Sequence, residues 1–253
     1  TLERVFGKGE IDVTRINFTA CGVRHTQILS KQGEQIGYRM DQDEYAAARK
    51  PITLPTLGVG AAEKEAGPQC ASLFISLLMA LAYSVVIRVD IAVYVVALQR
   101  HLQKPCYIHI RRLNTVVRWA QKNPLGLVYR KFLCLRTLEA HTDAGFRREE
   151  DVDENQLGRA TRGTNTFRLG PKNGTIRQCH LLDFQVGTTK QVVRSTLTAE
   201  GHSIIGTTDG TLILKVTMHE VIHGPASKET ACAITDGNTG EFKIDVVTDS
   251  RNI

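Results

Sequence analysis

The stretch YIHIRRLNTVVRWAQKNPLGLVYRKFLCLRTLEAHTDAGF, residues 107–146, changes its hydrophobic period part-way along. In its first part Ile110, Leu113, Val117 and Ala120 recur every three or four residues, so a helix over about 106–122 puts them on one side. Arg111 and Arg118 fall on another face, which gives a packing side and a basic side. Asn123-Pro124-Leu125-Gly126 closes that helix with turn-forming residues. From Leu127 to Phe146 the pattern reads as strand. The change at about residue 125 divides an α/β chain into a part over 1–124 and a sheet-bearing part over 125–253, in a length that suits one large or two modest domains.

Upstream, residues 10–45 read as short strands and turns punctuated by Gly33 and Gly37, and a loop bearing Pro and Gly runs from Pro51 to Pro68. Two more helices are expected, at about 69–86 and 90–101. The first raises a membrane question, because no charge stands between Glu65 and Arg88 and CASLFISLLMALAYSVVI could span a bilayer. Arg88 and Asp90 interrupt it and IAVYVVAL resumes the apolar pattern, so two packed core helices are the preferred reading, with no membrane partner.

Downstream, an acidic turn RREEDVDEN (147–155) is followed by strands at TNTFRLG (164–170) and TIRQCHLLDF (175–184). RSTLTAEGHSII (194–205) opens a helix with Ser195 or Thr196 as N-cap. EFKIDVVTDSRNI (241–253) holds a last strand ending at Asp249. The order is strand, strand, strand, helix, strand.

The net charge of +6 is concentrated: residues 101–140 hold eight Lys and Arg against one acid, Glu139. A basic stripe of this kind suits a polyanion. The cysteines (Cys21, Cys70, Cys106, Cys134, Cys179, Cys232) form no Cys-x-x-Cys pair, so neither a zinc knuckle nor a disulfide framework is indicated. Reduced thiols and the lack of a secretory signal at Thr1 point to an intracellular setting, cytoplasmic or nuclear.

Three acids stand out by position: Asp143 at the end of the first strand of the second half, Glu200 early in its helix, and Asp249 at the end of its last strand. Each alone is an ordinary turn or cap residue. Where the first and last strands are neighbours, however, their ends and the start of a packed helix converge. Carboxylates brought together repel unless a cation sits among them, and hard oxygen ligands favour Mg2+ or Mn2+. Such a cluster suits phosphodiester hydrolysis.

HTDAGF (141–146), RSTLTAEGHS (194–203) and VVTDSRNI (246–253), in that order, resemble the three acidic motifs of the ribonuclease H domain in copia-type LTR retrotransposon polyproteins. The segment from Phe74 to Arg130 is similar to the link between reverse transcriptase and ribonuclease H in those polyproteins, and CGVRHTQILSKQGEQIGYRMDQDEY (21–45) to the last polymerase strands. The resemblance implies a ribonuclease H-like mixed sheet with packed helices, preceded by a mainly helical thumb and connection segment. It implies that Asp143, Glu200 and Asp249 bind Mg2+ or Mn2+ and cut the RNA strand of an RNA–DNA hybrid. Arg111, Arg112, Arg118, Lys122, Arg130 and Lys131 would grip its phosphates, and the remainder of a polyprotein is a further partner.

Several positions depart from the family pattern. The polymerase Asp-Asp pair would precede Thr1, Ile75 and Met79 replace an Arg and a Gly, and GTTDGT (206–211) replaces a run of small residues in the long helix. The chain ends four residues after Asp249, before the family's last helix and fourth ligand. A truncated, degenerate copy is the expectation, and a nucleic-acid-binding remnant without turnover is the alternative.

A third reading comes from HEVIHGP (219–225), the His-Glu-x-x-His pattern of zinc peptidases. Gly224 and Pro225 end that helix at once, no third His follows at the required spacing, and Glu241 is the sole later Glu at a suitable distance. The pattern therefore marks a helix end. Trp119, an isolated aromatic, and His180, in an apolar strand, read as core residues.

Overall fold

The computed structural model describes residues 17–56, 58, 60–131, 136–145, 160–189, 193, 195–238 and 242–249. Cys134, the acidic turn expected at 147–155 and Glu241 lie outside them. The elements are β1 (Phe18–Ala20), β2 (Val23–Leu29), β3 (Gln35–Asp41), α1 (Asp43–Ala47), α2 (Pro68–Ser84), α3 (Ala92–Gln99), α4 (Tyr107–Lys122), β4 (Gly126–Arg130), β5 (Thr137–Gly145), β6 (Thr161–Asn173), β7 (Ile176–Thr188), α5 (Thr196–His223), α6 (Lys228–Thr235) and β8 (Lys243–Thr248). The protein is a mixed α/β chain with two four-stranded sheets and six α-helices among the described residues. Contacts divide it into two compact units, one of Thr1–Ile91 with Lys104–Lys131, the other of Ala92–Gln103 with Phe132–Ile253.

In the first unit β1, β2, β3 and β4 pair antiparallel in that order. α2 and α4 bury the faces that their sequences dictate. Phe74, Leu77, Leu78 and Leu81 of α2 are buried, as are all four apolar positions expected on α4, Ile110, Leu113, Val117 and Ala120. Asn114, also buried, holds both backbone groups of Ile52, accepting from its N–H and donating to its carbonyl at 2.8 Å each. The charge-free stretch becomes the 17-residue α2, with Pro68 at its first turn, where a missing N–H costs nothing. Arg88 beyond it is buried, its guanidinium bonded to both Asp90 oxygens at 2.8 Å and to the Ala120 carbonyl at 2.9 Å. Among the described residues no helix is long and apolar enough to cross a membrane.

The stretch read as one strand over 127–146 is two strands in different sheets. β4 pairs with β3, with Tyr129 opposite Tyr38, so Gly126–Lys131 belongs to the first unit. α3, expected with the first domain, groups with the second unit. Hydrophobic period reveals that a strand or helix forms, not which core receives it, so the division differs from the boundary expected at 124/125.

In the second unit the sheet order is β7-β6-β5-β8. β5, β6 and β7 are antiparallel, and β8 lies parallel to β5. The strands at TNTFRLG and TIRQCHLLDF grow into one long hairpin, β6 and β7, turned at Gly174. α5 covers one face of this sheet, where Leu138, Ala140, Thr142 and Ala144 of β5 are buried. Its own buried side is largely polar: Glu200, Ser203, Thr207, Thr211 and Lys215 point inward, while Leu197, Ile205, Ile213 and Val221 are exposed. The buried Lys215 ammonium donates to the Ile234 carbonyl at 2.9 Å and ties α6 to α5. α6 follows Ser227, whose hydroxyl accepts from the Thr230 N–H, a capping signal absent from the expected element order.

Candidate metal centre

Three backbone facts bring the acids together. In the parallel β5–β8 register Thr142 is opposite Thr248, so the next residues of each strand, Asp143 and Asp249, lie side by side. Ser195 caps α5, its hydroxyl accepting from the Thr198 N–H at 3.2 Å, and so fixes where the helix starts and when Glu200 comes round. Small buried side chains, Ala144 on β5 and Ala199 on α5 among them, let the start of the helix approach the strand end. As a result one carboxylate oxygen from each of Asp143, Glu200 and Asp249 lies within 4.8 Å of the others. This is the one group of three or more such ligands among the described residues.

The three acids differ in surroundings. Asp143 and Asp249 are exposed, whereas Glu200 is buried. Glu200 Oε2 is shielded from solvent with no hydrogen-bond partner, an arrangement that is costly for a carboxylate unless a cation completes it. Burial pushes the Glu200 carboxyl above the usual range and the negative charges of Asp143 and Asp249 push it further, while the Ala144 N–H offsets part of that rise. An all-carboxylate set with an orphaned inner oxygen fits a hard divalent cation such as Mg2+ or Mn2+ and suits zinc poorly.

Hydroxyl groups hold this geometry. Ser203, one turn past Glu200, hydrogen-bonds Thr142 at 2.6 Å and donates to the carbonyl of Asp143 at 3.3 Å. One turn further, Thr207 and Thr164 are bonded at 2.9 Å. Gly206 lies between them; a Cβ there would sit 2.3 Å from an Arg162 guanidinium nitrogen, so its bare backbone admits that side chain against the helix. GTTDGT (206–211), which stands out in the sequence only as a departure from the family pattern, thus supplies Gly206 and Thr207 to this contact, and Ser203, Thr207 and Thr211 recur at four-residue spacing.

Asp143 and Asp249 line a cleft of about 770 Å³, together with His141, Gly163, Asn165 and Val247 among others. Gly163 is opposite Asp143 in the β5–β6 register, so no side chain rises beside the carboxylate there. His141 Nε2 is 2.9 Å from Glu139 Oε1, and its ring meets Phe167 edge-on.

The six expected phosphate-gripping cations, Arg111, Arg112, Arg118, Lys122, Arg130 and Lys131, are all exposed and all belong to the first unit. Trp119, expected in the core, is instead 54% exposed on the same helix. His180, the other expected core residue, is half-buried on β7. His219 and His223 lie near the end of α5 with ring centroids 4.8 Å apart and planes tilted by 39°. Gly224, at φ 91°, ends the helix there, and the Glu220 carboxylate accepts from the Ala226 N–H at 3.2 Å. Among the described residues no third ligand stands with that histidine pair. No protein-family model matches this chain, and no curated protein matches it.

Proposed function

We propose that the chain is a ribonuclease H-type nuclease unit, with a reverse-transcriptase-like segment before it, that hydrolyses the RNA strand of an RNA–DNA hybrid. The observation that carries this reading is the convergence of Asp143, Glu200 and Asp249 from two neighbouring strand ends and a helix start. The mixed sheet, with β8 parallel to β5 and the long α5 across one face, supports this reading.

In this reading the three carboxylates hold Mg2+ or Mn2+. When bound, such ions polarise the phosphodiester and activate the attacking water. The chain's own groups do the rest. Ser203 and Thr142 keep Glu200 in register with Asp143. The side-chain-free position at Gly163 leaves room for a sugar-phosphate backbone beside Asp143. Arg111, Arg112, Arg118, Lys122, Arg130 and Lys131 bind phosphates without reading sequence, and the 2′-hydroxyl distinguishes RNA from DNA.

The test is incubation of the full chain with a hybrid labelled on each strand. Magnesium-dependent cutting of the RNA strand alone, abolished by Asp143→Asn, is expected. Hybrid binding with no cutting in either Mg2+ or Mn2+ would contradict the proposal and leave a binding protein.

A further inference from the structure

Trp119 is the single tryptophan of the chain, and its place on α4 is unusual for that residue. It is 54% exposed, yet its orientation is fixed, because the indole N–H donates to Asp90 Oδ2 at 3.2 Å. Asp90 is itself held by the buried Arg88 guanidinium, which also bonds the Ala120 carbonyl, the residue after Trp119. An exposed aromatic ring tethered at its polar edge by a partly buried ion pair keeps its face free at little further cost in ordering.

The surroundings of that ring are cationic. Arg111, Arg112, Arg118 and Lys122 are exposed on the same helix, and none is in an ion pair among the described residues. α4 contains no acidic residue. From Arg112 to Lys122 the row is about 15 Å long at the helical rise per residue, with Trp119 inside it. A fixed aromatic face flanked by unpaired cations is complementary to a base with its neighbouring phosphates.

We propose that this face of α4 is a binding site for single-stranded polynucleotide: Trp119 stacks on one unpaired base while Arg111, Arg112, Arg118 and Lys122 hold the flanking phosphates. The site uses none of the residues of the carboxylate cluster, but it shares its four cations with the phosphate grip proposed above and rests on that part of the reading, not on hydrolysis. Stacking without contacts to base edges takes RNA and DNA strands alike.

The sole tryptophan makes the test direct. Titrating the full chain with oligouridylate or oligothymidylate is expected to quench its tryptophan emission saturably, and Asp143→Asn leaves that quench unchanged. An abasic oligonucleotide of the same length binds more weakly and does not quench. Trp119→Ala, followed by anisotropy of a labelled strand, weakens binding about 5- to 150-fold, the range that loss of one stacked base gives. Trp119→Phe, which keeps an aromatic face, retains most of the affinity. Strand binding without quenching, equal affinity of wild type and Trp119→Ala, equal losses for Ala and Phe, or no binding to either strand at low salt would each overturn the proposal.

Discussion

α4 and α5 are built on opposite rules. α4 buries Ile110, Leu113, Val117 and Ala120 and turns its arginines outward. α5 buries Glu200, Ser203, Thr207, Thr211 and Lys215 and leaves Leu197, Ile205, Ile213 and Val221 exposed. The first helix is placed by apolar surface, which is tolerant of direction. The second is placed by hydroxyl pairs, which are not, and that directional hold fixes Glu200 against Asp143 and Asp249.

The largest effect that would break this contrast is in the cores. Leu113→Ala on α4 is expected to lose about 2–5 kcal/mol in urea unfolding, the cost of a buried leucine. Ile213→Ala on α5 is expected to change stability by less than about 0.5 kcal/mol, because its side chain is already in water. A large loss at Ile213 would show that the polar side of α5 is not the one that packs.

Next is the hydroxyl seam. Ser203→Ala leaves the buried Thr142 hydroxyl without its partner and is expected to cost about 1–3 kcal/mol. Combining it with Thr142→Val is expected to cost less than the sum of the two single changes, since both ends of one bond are then gone. Additive losses in that double-mutant cycle would mean that the two residues act separately.

Acidity separates the helices as well. Glu200 has a raised folded-state pKa, from burial first and then from Asp143 and Asp249. Between the ordinary glutamate pKa and that raised value the folded state binds more protons than the unfolded one, so stability falls as pH rises through this window and is level above it. Glu200→Gln is therefore expected to stabilise the metal-free protein at neutral pH and to flatten this dependence, as read from thermal unfolding across pH. Added Mg2+ or Mn2+ should raise the melting temperature of the wild type near neutral pH, lose that effect in acid, and do little for Glu200→Gln.

The smallest effect is at the glycines of α5. Gly201→Ala meets nothing within 4 Å and is expected to gain about 0.5–1 kcal/mol. Gly206→Ala should gain less, because Arg162 must swing away.

These contrasts also explain what could be read from the sequence. The helix at 106–122 was legible because its apolar positions repeat at helical spacing, those at 69–86 and 90–101 because of their long apolar runs, and Ser195 or Thr196 announced the start of α5. The three acids were legible by position, at strand ends and an early helical turn, once neighbouring first and last strands were assumed. The partner of β4 was not, since Leu127, Val128 and Tyr129 suit either sheet equally and only the register with β3 decides. Ser203 and Thr207 were passed over because hydroxyl residues in a helix usually face water, and what buries them lies in Thr142 and Thr164, far away in sequence. Trp119 was assigned to the core because a lone aromatic usually is; its anchor, Asp90, is set by the fold.

The central claim is that Asp143, Glu200 and Asp249 together hold a divalent cation. Titration of the metal-free protein with Mn2+, followed by the loss of the free-ion paramagnetic resonance signal, tests it most directly. The account predicts saturable binding of one or two ions per chain that Asp143→Asn or Asp249→Asn weakens at least about tenfold, as loss of one carboxylate ligand should. Absence of saturable binding, or binding that both substitutions leave unchanged, would contradict it.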